Sequence, residues 1–130
     1  MNKILFLDDS KERTRIFSSW VPSALTAETA EEFINLLKQN KEIDLACLDH
    51  DLGGTIFSDS NNENCGMEVV RWICKNKPSI KNIVVHSLNY NASLEMKAKL
   101  EDCGYKVHKI DFLTLMSENN LEKVIQWVRN

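Results

Sequence analysis

Three short apolar runs of this chain each end in ionisable or polar residues. Ile4-Leu5-Phe6-Leu7 precedes Asp8-Asp9, Leu45-Ala46-Cys47-Leu48 precedes Asp49-His50-Asp51, and Ile83-Val84-Val85 precedes His86-Ser87. Runs that are apolar on both faces are typical of parallel strands covered by helices on both sides. Ligands of open parallel α/β sheets bind at the carboxyl ends of the strands. The pattern therefore predicts a binding site at one edge of such a sheet.

Helical periodicity between the runs completes an α/β pattern. We predict strands near residues 3–7, 23–26, 43–49, 81–86 and 105–110, each followed by a helix. The helix signals are a capping box at Thr29 and Glu32, a stop before Pro78 and a glycine, Gly104, after the fourth helix. Leu121, Val124, Ile125 and Val128 mark a last helix. Together these elements predict a doubly wound, five-stranded parallel sheet with flanking helices.

Composition indicates one domain, residues 1–130, with an ordinary globular balance of 43% hydrophobic and 27% charged residues. The net charge of −3 gives no general attraction to duplex DNA or an anionic membrane. No apolar run approaches the roughly 18 residues of a membrane span. The four cysteines, Cys47, Cys65, Cys74 and Cys103, form no C-x-x-C pair, so we expect reduced thiols and a cytoplasmic protein.

The connection that follows the third predicted strand is long. Residues 52–65 are rich in glycine, serine and asparagine, and loops of this length are uncommon unless they are functional or disordered. Because the loop leaves the strand that ends at Asp49, one interpretation is a lid over the site. The other is a tolerated surface insertion.

The acidic strand ends predict a metal site. If the strands are neighbours, each like-charge pair among Asp8, Asp9 and Asp49 costs roughly 3 kcal/mol at about 5 Å and an effective dielectric near 20. A hard divalent cation, Mg²⁺ or Mn²⁺, is the natural counter-charge for such oxygen ligands, and Lys109 is a second candidate. Alternatively, Asp8 and Asp9 only cap a helix that starts near Ser10.

The remaining polar residues at this edge are candidates for catalysis and binding. His50 and His86 can shuttle a proton at neutral pH, although either can be structural. Ser87 can hydrogen-bond a phosphoryl oxygen, but His86 and Ser87 point to opposite faces unless the strand has already turned. Asn89 can donate to the same group or only cap the next helix.

In these residues the chain resembles the receiver domains of two-component response regulators. Leu7-Asp8-Asp9-Ser10 is similar to their acidic pair, Asp49 stands at their phosphoacceptor position, and Gly66 opens the third helix. Ser87 and Lys109 stand where receivers have a hydroxyl residue and a lysine. The resemblance implies a flavodoxin-like topology with strand order 2-1-3-4-5. Ile110 replaces the proline that usually follows the lysine.

The chain resembles a narrower family more closely, the cyclic-phosphate-processing receiver-like domains. The shared motifs are Leu7-Asp8-Asp9, Leu48 to Gly53 (L-D-H-D-L-G), Gly66 to Ile73 with Trp72, His86-Ser87-Leu88-Asn89, and Met96. The family usually continues the H-S-x-N motif with proline, glycine and a basic residue. Here Tyr90-Asn91-Ala92-Ser93 follows, which leaves a basic phosphate contact in question.

Three functions follow from this resemblance. The first is a metal-dependent phosphoesterase that acts on a cyclic phosphate of a nucleotide or an RNA end. Asp9 and Asp49 would hold Mg²⁺, Asp8 a water on it, and Asp51 would add its backbone carbonyl. His50 or His86 would transfer protons, while Ser87, Asn89 and Lys109 would bind the phosphate; alternatively, Asp49 would attack phosphorus itself.

The second hypothesis is a signalling receiver in which a histidine kinase phosphorylates Asp49. It leaves the histidines and the long loop unexplained. The third is a protein that sequesters a phosphorylated ligand without turnover, since binding and hydrolysis require almost the same residues.

Overall fold

The computed structural model describes residues 3–54, 59–117, 122–124 and 126. Strands and helices alternate along this part of the chain. In order they are β1 (Ile4–Leu7), α1 (Lys11–Trp20), β2 (Leu25–Ala27), α2 (Ala30–Gln39), β3 (Glu42–Leu48), α3 (Gly66–Asn76), β4 (Ser79–Val85), α4 (Tyr90–Asp102), β5 (Val107–Lys109) and α5 (Phe112–Leu115). All pairings are parallel, in the order β2-β1-β3-β4-β5. The predicted fold class and strand order are confirmed.

The helix caps and helix ends predicted from the sequence are present in the structure. Thr29 caps α2 by accepting a hydrogen bond from the Glu32 amide, and its hydroxyl donates to the Glu32 carboxylate. α3 ends at Lys77, which adopts a left-handed conformation at φ 53°, and Gly104 follows α4 at φ 97°. Of the residues predicted for the last helix, Val124 is helical and buried, while Leu121, Ile125 and Val128 lie outside the described residues.

The two faces of the sheet carry separate apolar clusters. One face packs Leu5, Leu7, Ala46, Leu48, Ile83 and Val85 against α2, α3 and α4. The other packs Ile4, Phe6, Leu45, Cys47 and Val84 against Phe17 of α1 and against Phe112 and Leu115 of α5. The three central strands are therefore covered on both sides, which fixes the positions of their carboxyl ends.

The cysteine prediction was wrong for one pair. Cys74 of α3 and Cys103 at the end of α4 form a disulfide, with Cα atoms 5.7 Å apart. Both lie on neighbouring helices whose spacing the sequence pattern does not reveal. Cys47 and Cys65 are free and buried, as expected. No helix in the described ranges is long and apolar enough to cross a membrane.

The described part of the long loop is anchored to the domain. Arg71 of α3 donates to the carbonyl oxygens of Ser60 and Asn62, at 2.6 and 3.2 Å. The Asn64 side chain accepts a hydrogen bond from the Ala30 amide, at the start of α2. Residues 55–58, the centre of the predicted lid, lie outside the described residues. The lid stays a prediction.

Candidate active site at the carboxyl edge of the sheet

The register of the sheet brings three functional side chains into one row. Phe6, Cys47 and Val84 are directly paired across β1, β3 and β4, on the face that packs against α1 and α5. Side chains two residues further along point to the same face, because strand side chains alternate. Those side chains are Asp8, Asp49 and His86. The ladder extends this far, since the Asp49 amide donates to the Leu7 carbonyl and the His86 amide to the Leu48 carbonyl.

Asp8 is the buried centre of this row. Its Oδ1 accepts hydrogen bonds from the Ser10 amide and Arg13 Nη2, and its Oδ2 contacts Arg13 Nε and His86 Nε2, all at 2.8–3.1 Å. Burial by itself raises the pKa of this carboxyl, but the hydrogen bonds from His86 and Arg13 outweigh burial and lower the pKa to about 2. Asp8 is therefore a carboxylate at neutral pH, with both oxygens engaged.

Arg13 is the residue that the sequence analysis missed. Its guanidinium forms a two-point contact with Asp8, and Nη2 lies 3.7 Å from Asp49 Oδ2 and 3.9 Å from Asp9 Oδ1. Ser10 caps α1 by accepting from the Arg13 amide, which places Arg13 in the first helical turn. Helix side chains lean toward the amino end, so this one returns to the acidic pair. An arginine four residues after Asp9 was the available signal.

Asp49 lies in a less favourable environment than Asp8. The residue is only 5% exposed. Its Oδ1 accepts the His50 amide at 2.8 Å, whereas Oδ2 approaches Arg13 no closer than 3.7 Å. Burial, reinforced by the charge of Asp8, raises the pKa of Asp49 to about 6, although His86, the His50 amide and Arg13 oppose the shift. The nearest cation, Arg13, forms an ion pair with Asp49 but lies beyond hydrogen-bond distance, so Oδ2 can still accept a metal ion.

Gly66 allows the chain to close behind Asp49. Its amide donates to the His50 carbonyl at 2.8 Å. A Cβ atom at this position would overlap the Asp49 carbonyl oxygen and would lie 2.8 Å from Met96 Cε and 2.9 Å from His50 Cα. Only glycine fits here, so the motif that opens α3 is required for the backbone position of Asp49.

Asp9 and Asp51 form the partly exposed rim of the site. Asp9 Oδ2 accepts a hydrogen bond from the Gly54 amide at 2.7 Å, which ties the start of the long loop to β1. Asp51 Oδ1 lies 2.9 Å from His50 Nδ1 and accepts from Asn89 Nδ2 at 3.2 Å. Both carboxylates thus have fixed positions.

His86 is held by Asp8 and by aromatic packing. Its ring stacks on Phe6, with centroids 4.8 Å apart, and lies 6.2 Å from the Phe112 ring. Because Asp8 is a carboxylate and can only accept, Nε2 carries the proton that it donates to Asp8. Nδ1 has no hydrogen-bond partner among the described residues. The geometry leaves one imidazole nitrogen for another interaction.

A cavity of about 420 Å³ opens over the row. Four segments of the chain line it, with the residues Asp9, Arg13, Asp49, Asp51, Gly54, His86, Ser87, Leu88 and Phe112. His86 and Ser87 both reach it because the strand ends at Val85 and the chain turns, with Ser87 Oγ accepting the Asn89 amide. The turn therefore explains how His86 and Ser87, which would point to opposite faces of an extended strand, both line the cavity.

Four predicted site residues do not line this cavity: Asp8, whose contacts are given above, and His50, Asn89 and Lys109. The buried His50 ring contacts Asp51 on one side and Ser60 Oγ, at 3.1 Å, on the other. Burial lowers the pKa of His50, but contacts with Cys65 and Asp51 outweigh it and raise the pKa. Asn89 caps α4 and holds Asp51. Lys109 Nζ lies over the Tyr90 ring, 4.4 Å from its centroid.

The donor set fits a hard divalent cation. Asp8, Asp49 and His86 each offer one ligand atom, and these atoms lie within 4.8 Å of one another. Asp8 is already engaged by Arg13 and His86, and the acidic residues that line the cavity are Asp9, Asp49 and Asp51. Oxygen ligands of this kind suit Mg²⁺ or Mn²⁺. The cluster resembles the acidic pocket of receiver domains.

Several solved structures similar to this one are response regulators or domains of them. A response regulator from Colwellia psychrerythraea is 14% identical, with a TM-score of 0.65 over 98% of this chain and 97% of that one. TrrA from Thermotoga maritima, solved in complex with Mg²⁺ and BeF, is 22% identical, with a TM-score of 0.64 over 98% and 99%. The response regulator domain of Thermotoga maritima CheB is 15% identical, with a TM-score of 0.66 over 100% and 98%. These similarities show the fold.

Sequence comparison identifies the family. No curated protein is significantly similar to the chain as a whole. The family model of the cyclic-phosphate processing receiver domain matches residues 3–102, which include all the cavity-lining residues except Phe112. The chain belongs to the family of cyclic-phosphate processing receiver domains.

Proposed function

We propose that this chain is a metal-dependent phosphoesterase that opens a cyclic phosphate of a nucleotide or of an RNA end. The observation that carries the proposal is the cavity, which is lined by three aspartates, a serine and a histidine that is paired with a buried carboxylate. Its volume of about 420 Å³ lies in the range of small-molecule sites. It offers space for the organic part of a ligand beside the phosphate.

In this proposal Asp9 and Asp49 would hold the divalent cation with their carboxylates, and Asp51 with its backbone carbonyl. A bound cation polarises the phosphoryl group and lowers the pKa of water. Gly66 and the His50 amide fix Asp49, the Gly54 amide fixes Asp9, and His50 and Asn89 fix Asp51. His50 and Asn89, both predicted to act directly, are thus positioning residues.

His86 transfers the proton in this proposal. Its Nε2–H donates to Asp8, which sets the tautomer, and Nδ1 is buried without a hydrogen-bond partner among the described residues. The Nδ1 lone pair would take a proton from a water that the bound ligand brings into contact with it. The water oxygen forms a bond to phosphorus, one ring P–O bond breaks, and the leaving oxygen takes a proton. The product is a phosphomonoester with a free hydroxyl. Ser87 Oγ, at the wall of the cavity, hydrogen-bonds a phosphoryl oxygen.

The second candidate is a phosphoaccepting receiver. The observation in its favour is the placement of Asp49 at the carboxyl end of central strand β3, in a fold shared with response regulators. In that case a histidine kinase is the partner and Asp49 forms an acyl phosphate. The histidine beside Asp8 has no role in this candidate.

The test is incubation with Mg²⁺ or Mn²⁺ and a panel of cyclic mononucleotides, cyclic dinucleotides and RNA ends with 2′,3′-cyclic phosphate. Products are read by chromatography and mass spectrometry. We expect ring opening that Asp49→Asn abolishes and that His86→Gln slows by about 10²–10⁴-fold, the usual loss for a general acid or base. His108→Gln, which changes a histidine outside the cavity, should retain the rate.

The same samples separate the other candidates. Acetyl phosphate that phosphorylates the wild type but not Asp49→Asn, together with no turnover of the panel, would replace the esterase by a receiver. Intact ligand that co-elutes with the protein would indicate sequestration. A rate that survives in Asp49→Asn would remove Asp49 from the mechanism.

A further inference from the structure

We propose that Arg13 is the phosphate-binding cation of this cavity, a role that the sequence pattern gives to Lys109. The inference rests on the proposed function in one respect, since it assumes that a phosphorylated ligand enters the cavity. The observation that supports it is the different position of the two charged groups, the Arg13 guanidinium and the Lys109 ammonium.

Arg13 lines the cavity with part of its hydrogen-bonding capacity unused. Its side chain is 37% exposed. A guanidinium has five N–H donors, of which Nε–H and one on Nη2 bind Asp8. Nη1 donates to no described residue, and Nη2 is beyond hydrogen-bond distance of Asp9 and Asp49. Three N–H groups therefore remain for a ligand.

Asp8 makes the guanidinium a rigid donor. The two-point contact fixes the plane of the group, and Asp8 is itself fixed by the Ser10 amide and His86. A planar guanidinium held on one edge presents its other edge to phosphate oxygens in the fork geometry that such anions prefer. A lysine at this position would offer a point charge without that geometry.

Lys109 is engaged elsewhere. Its ammonium lies 4.4 Å from the centroid of the Tyr90 ring, within the range of a cation–π contact, and it does not line the cavity. Tyr90 is one of the residues that replace the family's proline, glycine and basic segment. Among the residues that line the cavity, Arg13 is the one lysine or arginine. The phosphate of a ligand held near Asp49 therefore meets Arg13.

The experiment measures binding of inorganic phosphate to the full chain by titration calorimetry, in buffer with saturating Mg²⁺. Arg13→Gln removes the charge and the fork, and Arg13→Lys keeps the charge alone. Arg15→Gln is the matched control, because Arg15 is an exposed residue of the same helix and the charge change is identical. Lys109→Gln tests the competing assignment. Circular dichroism melting curves report whether each variant is folded.

We expect Arg13→Gln to raise the Kd for phosphate at least tenfold, Arg13→Lys to raise it less, and Arg15→Gln and Lys109→Gln to change it less than twofold. A purely structural Arg13 would lower the melting temperature and leave the Kd of the folded protein unchanged, which would overturn the inference. If Arg13→Gln does not fold, an increase in the Kd of Arg13→Lys supports the inference, and an unchanged Kd overturns it. Loss of binding in Lys109→Gln, or no binding by the wild type, would also overturn it.

The cyclic-phosphate assay fails or succeeds independently of this result. Phosphate binding that depends on Arg13 in a protein that opens no cyclic phosphate would refute the esterase and keep Arg13. Ring opening by a protein whose phosphate affinity does not depend on Arg13 would support the esterase and refute the role of Arg13.

Discussion

Asp49→Asn should stabilise the metal-free protein at neutral and alkaline pH although it removes the central residue of the site. Burial, with the nearby charge of Asp8, raises the pKa of Asp49 from its usual 3.8 to about 6. A carboxyl group with a raised folded-state pKa stabilises the fold below pH 3.8. That stability is lost as the pH rises through about 6. Asparagine has no charge to bury, and its Oδ1 can still accept the His50 amide.

The magnitude follows from the size of the shift. A change of about two pKa units corresponds to roughly 3 kcal/mol at 1.36 kcal/mol per unit. Asp49 is almost fully buried, so solvent screening removes little of this energy. The pKa of about 6 already includes the opposing attraction of Arg13, so this energy needs no further deduction for that contact. The lowered pKa of Asp8, about 2, has the opposite sign, and its contribution is lost only as the pH falls below about 4 toward 2.

The assay is urea unfolding of wild type and Asp49→Asn in EDTA at pH values from 4 to 8. We expect the difference in the free energy of unfolding to grow in favour of Asp49→Asn between pH 4 and 6 and to be constant above. Adding Mg²⁺ at 1,000 times its Kd should reverse the order, because such a ligand stabilises the wild type by about 4.1 kcal/mol. A variant less stable at pH 8 in EDTA, or a difference independent of pH, would refute the reasoning.

Two further substitutions test the surroundings of the site. Gly66→Ala should cost about 1–3 kcal/mol or more in urea unfolding and weaken Mg²⁺ binding, because the new Cβ overlaps the Asp49 carbonyl; unchanged values for both would refute the close approach. Cys74→Ser should cost about 3–4 kcal/mol for a sequence separation of 29 residues, and dithiothreitol should lower the wild type to the same stability. A wild type insensitive to the reductant would refute the disulfide.

The sequence predicted the fold and the row of acidic residues for a single physical reason. Strands apolar on both faces must be central and parallel, and their ends must then meet. The strand order 2-1-3-4-5, which the resemblance to receivers implies, makes β1 and β3 neighbours, and the clustering of Asp8 with Asp49 follows from that order without knowledge of any side-chain conformation. The Thr29 cap was also predictable, because a helix cap restricts the residue type locally. Gly66 was identified through the family resemblance, and the structure supplies the reason, a close backbone approach to Asp49.

Long side chains set the limit of this reasoning. Arg13 and Lys109 each have several rotatable bonds, so the sequence position indicates where the side chain begins and not where its charged group lies. Lys109 begins at the correct edge, yet its ammonium lies over Tyr90. The Cys74–Cys103 pair was missed for a related reason, since it depends on the spacing of two helices rather than on a motif.

The unequal environments of Asp8 and Asp49 connect these observations to function. The two carboxylates occupy equivalent positions on neighbouring strands, yet Arg13 and His86 lower the pKa of one while burial raises the pKa of the other. Asp8 is thereby occupied in orienting a cation and an imidazole toward the cavity. Asp49 is left as the carboxylate whose charge is least compensated. An electrophilic partner therefore gains most at Asp49, whether that partner is a divalent cation or, in the receiver alternative, a phosphoryl group.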